Sequence, residues 1–195
     1  SSIVETNMVK STTSQMFLMW GPKASYEPNC QIICQKGGVF HVNLTILASA
    51  SHVFLAALNC DQKSFTLEYD AQTIDDFLSL VYPARRSDIF DTNSSADNRA
   101  RIEKLIPMAT YYLVSGVLEG IRQWIDENPS LSTIATYESS LGTRKWSDSA
   151  ILQMSREVKI ARRQDADAAL ARQEHQELLL KMSQTTLIRL VLMGN

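Results

Sequence analysis

The 195 residues are 45% hydrophobic and 21% charged, too apolar for a disordered chain and too polar for a membrane protein. The longest apolar run, Leu187 to Met193, contains Arg189 and falls far short of the ~18 residues that a spanning helix needs. A net charge of −2 gives no basic footprint for nucleic acid, and the length bounds the chain to one substantial domain with an extension.

The opening residues, Ser1-Ser2-Ile3-Val4-Glu5, carry neither an initiator Met nor a signal-peptide pattern, so a trimmed or partial start is expected. Residues 1–28 are polar apart from Met16-Phe17-Leu18-Met19-Trp20. That cluster needs cover, as an edge strand or against another chain. Cys30, Ile32 and Cys34 alternate with Gln31 and Gln35 and predict a strand. Gly37-Gly38 supplies a tight turn, and Val39 to Val42 returns as the second strand of a hairpin. Asn43 is placed as a helix cap. Leu47, Ala50, Phe54, Ala57 and Leu58 follow at helical spacing, with Ser51 capping the second of two short helices.

Phe65, Leu67 and Tyr69 alternate with Thr66, Glu68 and Asp70 as a half-buried strand. Thr73 is expected to cap a helix whose apolar stripe is Ile74, Phe77, Leu78 and Val81, and Pro83 to end it. Residues 84–98 read as a polar loop. Ile102, Leu105, Ile106, Ala109, Tyr112 and Leu113 form the next stripe, with Pro107 expected to kink or delay that helix and Gly116 to close it. Val117, Leu118, Ile121, Trp124 and Ile125 mark another helix, stopped before Asn128-Pro129. Beyond it, residues 131–154 predict a helix pair broken at Gly142. Residues 150–182, rich in Ala, Arg, Gln, Glu and Lys, predict a helix anchored at both ends and solvated between them. Charges at Asp165, Arg172 and His175 interrupt the heptad seam and argue against a coiled coil.

The hairpin, two helices, strand and three helices, in that order, resemble the BTB/POZ domain family. Three segments carry the resemblance: Phe40-His41-Val42-Asn43-Leu44-Thr45-Ile46-Leu47-Ala48, leading to Ser51-His52-Val53-Phe54; Asp75-Asp76-Phe77-Leu78-Ser79-Leu80-Val81-Tyr82-Pro83, with a Tyr-Pro ending common in nematode members; and Ile102 to Leu113. The chain departs from the family at Pro28-Asn29, at Asn43 and at Pro107. The resemblance implies an α+β fold, a short sheet flanked by helices, over residues 30–128. Residues 1–29 then carry a dimer-exchange strand, and residues 129–195 form an all-helical extension.

Members of that family are protein-interaction modules, and most are homodimers that exchange an N-terminal strand. The resemblance therefore implies a dimer interface of Met16, Phe17, Leu18, Met19, Trp20 and Leu47. Some members bridge a substrate to a cullin-RING ubiquitin ligase through a hydrophobic–x–Glu motif after the second core helix. The corresponding loop here, Leu58-Asn59-Cys60-Asp61-Gln62, has no Glu. The expected function is a homodimerising scaffold that presents a surface to a further protein partner, with a cullin adaptor as the alternative. The apolar tail, through Leu187, Leu190 and Leu192, reads either as packing on its own core or as a docking element.

No chemistry competes with this reading in the sequence. Cys34 with His41, or Cys60 with His52, lacks a third orienting group. No close-spaced cluster of four zinc ligands occurs, and Gly37-Gly38 is followed by no phosphate-binding pattern. Neither an enzymatic activity nor a cofactor is expected. Arg85-Arg86, Arg144-Lys145 and Arg162-Arg163 read as solvated charge rather than as a nucleic-acid contact. On one strand Cys30 and Cys34 would lie about 13 Å apart, beyond the ~7 Å reach of a disulfide. Three reduced, buried cysteines and a cytoplasmic or nuclear location follow as expectations.

Overall fold

A computed structural model of the chain describes residues 18–19, 27–35, 37–82, 89–90, 95–163 and 169–194. Among them four strands and nine helices make a mixed α+β fold. The strands β1 (Leu18–Met19), β2 (Cys30–Cys34), β3 (Val39–Val42) and β4 (Ser64–Leu67) form one sheet in the order β1-β3-β2-β4. Alternation in β2 buries Cys30, Ile32 and Cys34 and exposes Gln31, as the spacing predicts. The β2–β3 turn needs glycine twice. Gly37 has φ +81°, and a Cβ at Gly38 would stand 2.7 Å from Cys34 Sγ, the atom that accepts the Gly38 N–H at 3.1 Å. β3 pairs antiparallel with β2, while β1 and β4 add in parallel at the two edges.

Asn43 caps α1 (Leu44–Ala50), its Oδ1 accepting from the N–H groups of Thr45 and Ile46, and Ser51 caps α2 (His52–Asn59). Asn43 N also donates to the Tyr82 hydroxyl at 2.8 Å. That bond ties the start of α1 to the end of α3 (Ala71–Val81). The cap of α3 is Asp70 rather than Thr73. Thr73 sits in the first turn and donates to Asp70 Oδ1 through N (2.8 Å) and Oγ1 (2.9 Å). The strand before it stops at Leu67, short of Tyr69.

Ile89 is fully buried within the stretch read as a polar loop, and Pro83 and Arg85-Arg86 lie outside the described residues. Ser95 caps α4 (Ala96–Tyr111), which continues across an exposed Pro107. On a solvent-facing side water can satisfy the carbonyl that proline leaves unbonded. The chain reverses at Leu113, with φ 53°, and not at Gly116, which lies inside α5 (Ser115–Glu127).

Phe54 sits among aromatic rings, stacked on Tyr112 at 4.6 Å and edge-on to Phe65 at 5.6 Å. Asp76, buried on α3, takes a two-pronged contact from Arg101 of α4 (Nε to Oδ2 3.0 Å, Nη2 to Oδ1 2.7 Å). Such a planar pair fixes distance and angle together.

The extension comprises α6 (Leu131–Leu141), α7 (Asp148–Arg163), α8 (Ala169–Leu180) and α9 (Gln184–Gly194). Gly142 ends α6 at φ 78°, where the sequence places the break. Residues 150–182 are not one solvated helix: α7 and α8 are separate and pack against each other. The apolar core runs unbroken from the body into the extension, through Ile134, Ala135, Trp146, Ile151 and Met154. At the centre of the extension, buried Glu138 accepts from Trp146 Nε1 (2.9 Å), Thr186 Oγ1 (2.6 Å) and Ser183 N (2.7 Å). This one carboxylate joins α6, the entry to α7 and the start of α9.

Candidate interaction surfaces

Backbone pairing places Leu18 opposite Phe40 and Met19 opposite His41, as an edge strand in the same chain. Met16, Phe17 and Trp20 lie outside the described residues. Leu47, expected at the dimer interface, is instead 0% exposed within the chain's own core. Its position in the α1 stripe turns it inward, so it has no surface to offer a partner.

The loop after α2 is held by its own bonds. Cys60 N donates to the carbonyls of Ala56 and Ala57, Gln62 N to that of Ala57 at 3.1 Å, and Gln62 Nε2 to that of Ser64 at 3.0 Å. Asp61 takes a positive φ of 51° and pairs with Lys63. Leu58 is half-buried and packs on the core, while Asn59, Cys60, Asp61 and Gln62 are exposed. Cys60 therefore departs from the expected buried state, whereas Cys30 and Cys34 meet it. Burial also pushes the Cys30 thiol up, which holds it in its unreactive neutral form.

Neither Cys–His pair forms a site. His41 stands opposite Gln31 while Cys34 stands opposite Leu67, and His52 and Cys60 lie at opposite ends of α2. Among the described residues there is no metal-holding group of three His, Cys, Asp or Glu side chains. An open cleft of about 400 Å³ beside β2 is lined by Pro28, Asn29, Cys30, Gln31, His41, Lys63 and Ser64. It is a surface groove rather than an enclosed cavity. Among the described residues no helix is long and apolar enough to cross a membrane.

Two apolar surfaces stand out instead. The first surrounds the contact between α2 and the end of α4. Ser51 Oγ donates to the Tyr112 carbonyl, and Phe54 stacks on the Tyr112 ring. Burial, with Tyr111 and Tyr69 close by, pushes the Tyr112 hydroxyl up to about 12. Exposed apolar side chains border this contact: Leu55 on α2, Tyr111 at 69% and Leu113 at 59%. Leu113 is placed there by its left-handed backbone, which turns it out of the stripe that the sequence assigns it to.

The second surface is on the extension. Of the three tail residues, Leu190 is buried, Leu187 is half-buried and only Leu192 is open, at 70%. The docking expectation therefore fails for Leu190, which packs inward beside α7. Ser155 of α7 donates to its carbonyl at 3.0 Å. The exposed face of α9 is formed by Ile188, Val191 and Leu192. Ile188 and Val191 share this face with Leu192 through an i, i+3, i+4 spacing that is visible in the sequence. No family model and no curated protein matches this sequence.

Proposed function

We propose that the chain is a protein-interaction module of BTB/POZ type, a homodimerising scaffold whose helical extension presents a surface to a further protein. The observation that carries this reading is the amount of apolar side chain left open on a well-packed fold, at Tyr111, Leu113, Ile188, Val191 and Leu192. Large apolar side chains left open on one element are candidates for association. The α+β order of hairpin, helix pair, strand and helices supports the family assignment. The short edge strand β1 supports the dimer, since two residues of parallel pairing are readily traded for the same pairing in a second copy.

Light scattering on the full chain at micromolar concentration tests the dimer. Twice the chain mass is expected, and a clean single-chain mass refutes it. A second reading, adaptor of a cullin-RING ubiquitin ligase, is favoured by Leu55, an exposed apolar side chain on the same helix as Leu58 and just ahead of the loop after α2. It is ranked second because that loop lacks the hydrophobic–x–Glu motif. Loss of a well-packed anchor commonly costs about 2 kcal/mol or more, roughly a thirtyfold weaker complex. Calorimetry with a cullin N-terminal domain should show binding no tighter than micromolar. A nanomolar complex abolished by Leu58→Asp would make the adaptor the correct reading.

A further inference from the structure

Leu113 stands where a glycine would carry no strain. Its φ of 53° is left-handed backbone, which a residue with a Cβ adopts only at a cost. The side chain is 59% exposed, so burial does not offset that cost. Backbone strain of this kind collects at functional positions. Here it holds an apolar side chain in solvent, directly after Tyr111 and Tyr112.

The same corner gathers tyrosines and a carboxylate. Tyr112 is fixed, its ring stacked on Phe54 and its carbonyl accepting from Ser51 Oγ. Tyr111 stands edge-on to it, with ring centroids 5.0 Å apart and planes at 75°, and is 69% exposed. Tyr69 is half-buried, and its backbone is pinned to the sheet, where its carbonyl accepts from Gln35 N at 3.2 Å. Burial, then the Tyr111 hydroxyl and the Glu68 carboxylate, push the Tyr69 hydroxyl up, so both of those groups lie within electrostatic reach of it. Glu68 is exposed and forms no ion pair among the described residues. Lys104, a cation of α4, is already held by Asp70 at 3.0 Å.

We propose that this corner, formed by Glu68, Tyr69, Tyr111 and Leu113, is a docking site for an arginine flanked by apolar residues on a partner protein. An open tyrosine face attracts a cation. A guanidinium is the cation that stacks flat on a ring and also pairs with a carboxylate through two N–H groups. Leu113 offers the flanking apolar residues a contact beside it. This chain has one arginine in such a setting on α9, Arg189, but its guanidinium is engaged by the Trp146 carbonyl and by Asp148, which favours a different protein as the partner. The proposal rests on the reading of the chain as an interaction module and requires neither the dimer nor a cullin.

The test is fluorescence anisotropy of the full chain with three labelled synthetic peptides of one length, Leu alternating with Arg, with Lys or with Glu. The Arg peptide should bind saturably and more weakly as salt rises. The Lys peptide should bind more weakly than the Arg peptide, and the Glu peptide should not bind. Tyr111→Ala with Glu68→Gln should weaken the Arg peptide about tenfold or more, since the ring face and the charge are both lost. Leu113→Gly should also weaken it while leaving Tm equal or higher, which a leucine with a purely structural role would not do. Circular dichroism confirms that the variants fold. Three results would each overturn the proposal: an Arg peptide that is indifferent to the changes at Tyr111 and Glu68, a Lys or Glu peptide bound as tightly as the Arg peptide, or self-association lost in Tyr111→Ala with Glu68→Gln. Failure of the Arg peptide with a light-scattering dimer intact would remove this site and leave the module reading standing.

Discussion

Replacing Glu138 by alanine should loosen the extension before it loosens the body. The side chain is 5% exposed, and its two oxygens satisfy three donors, Trp146 Nε1, Thr186 Oγ1 and Ser183 N. A buried donor left without a partner costs about 1–3 kcal/mol. Three adjacent orphans share whatever water enters, so the penalties do not add in full. A loss of about 3–5 kcal/mol is expected, more than one such orphan costs and less than three would cost independently. That is a large part of the ~5–15 kcal/mol that holds a typical domain together. At about 2–4 °C per kcal/mol for a chain of this size, Tm should fall by about 6–20 °C. Glu138→Gln keeps the volume and one acceptor but turns an amide N–H₂ toward a donor, so it should fall between the parent and the alanine variant. Thermal melts by circular dichroism give the total. Hydrogen exchange locates it: the amides of α9 should lose protection while those of the β2–β3 hairpin keep theirs. An unchanged Tm with α9 protected as in the parent chain would refute the reasoning.

Phe54→Ala, Leu78→Ala and Leu105→Ala each empty a fully buried position on a different helix. Each should cost about 2–5 kcal/mol in denaturant unfolding. Alkaline pH should destabilise the fold. Burial pushes the hydroxyls of Tyr82 and Tyr112 from 10.0 up to about 12. The folded value lies above the unfolded one, so this stability is fully present below pH 10 and is lost as pH rises through 12. A pH series of melts should be level with respect to these groups up to that window and fall within it, less steeply in Tyr112→Phe. Leu113→Gly removes a left-handed leucine that is mostly exposed. Relief of the ~1–2 kcal/mol left-handed penalty is offset by the extra freedom of glycine in the unfolded chain. A net gain of about 0.5–1 kcal/mol should appear as a higher urea midpoint.

The β2–β3 hairpin was legible because its signals are local: alternating Cys30, Ile32 and Cys34, a glycine pair, and then β-branched residues. The split between α1 and α2 was legible for the same reason, since Ser51 caps within three residues of itself. Asp70 and Thr73 are both good caps in the sequence, and only the backbone decides which one stands outside the helix. Helical spacing turns Leu113 inward only if the helix goes on, and the left-handed turn that ends it carries no glycine to announce it. The burial of Ile89 left no periodic trace among polar neighbours. Leu47 illustrates a further limit. A stripe shows that a residue faces something apolar, but not whether that surface belongs to the same chain. Glu138 was unreadable, because two of its three donors are 45 and 48 residues away.

That separation has a consequence for synthesis. At about 5–20 residues per second, Glu138 emerges roughly 2–10 seconds before Ser183 and Thr186 exist to receive it. Until then its carboxylate can be dehydrated only at a penalty, so α6 stays wet on the side that will later hold Trp146. Ile134 waits slightly longer for α9, and Ile151 and Met154, made after Glu138, wait for a shorter time; all three are buried in the finished protein. The extension therefore closes only after α9 has been made. Its maturation is timed by the arrival of α9, however early the strands of the body have paired.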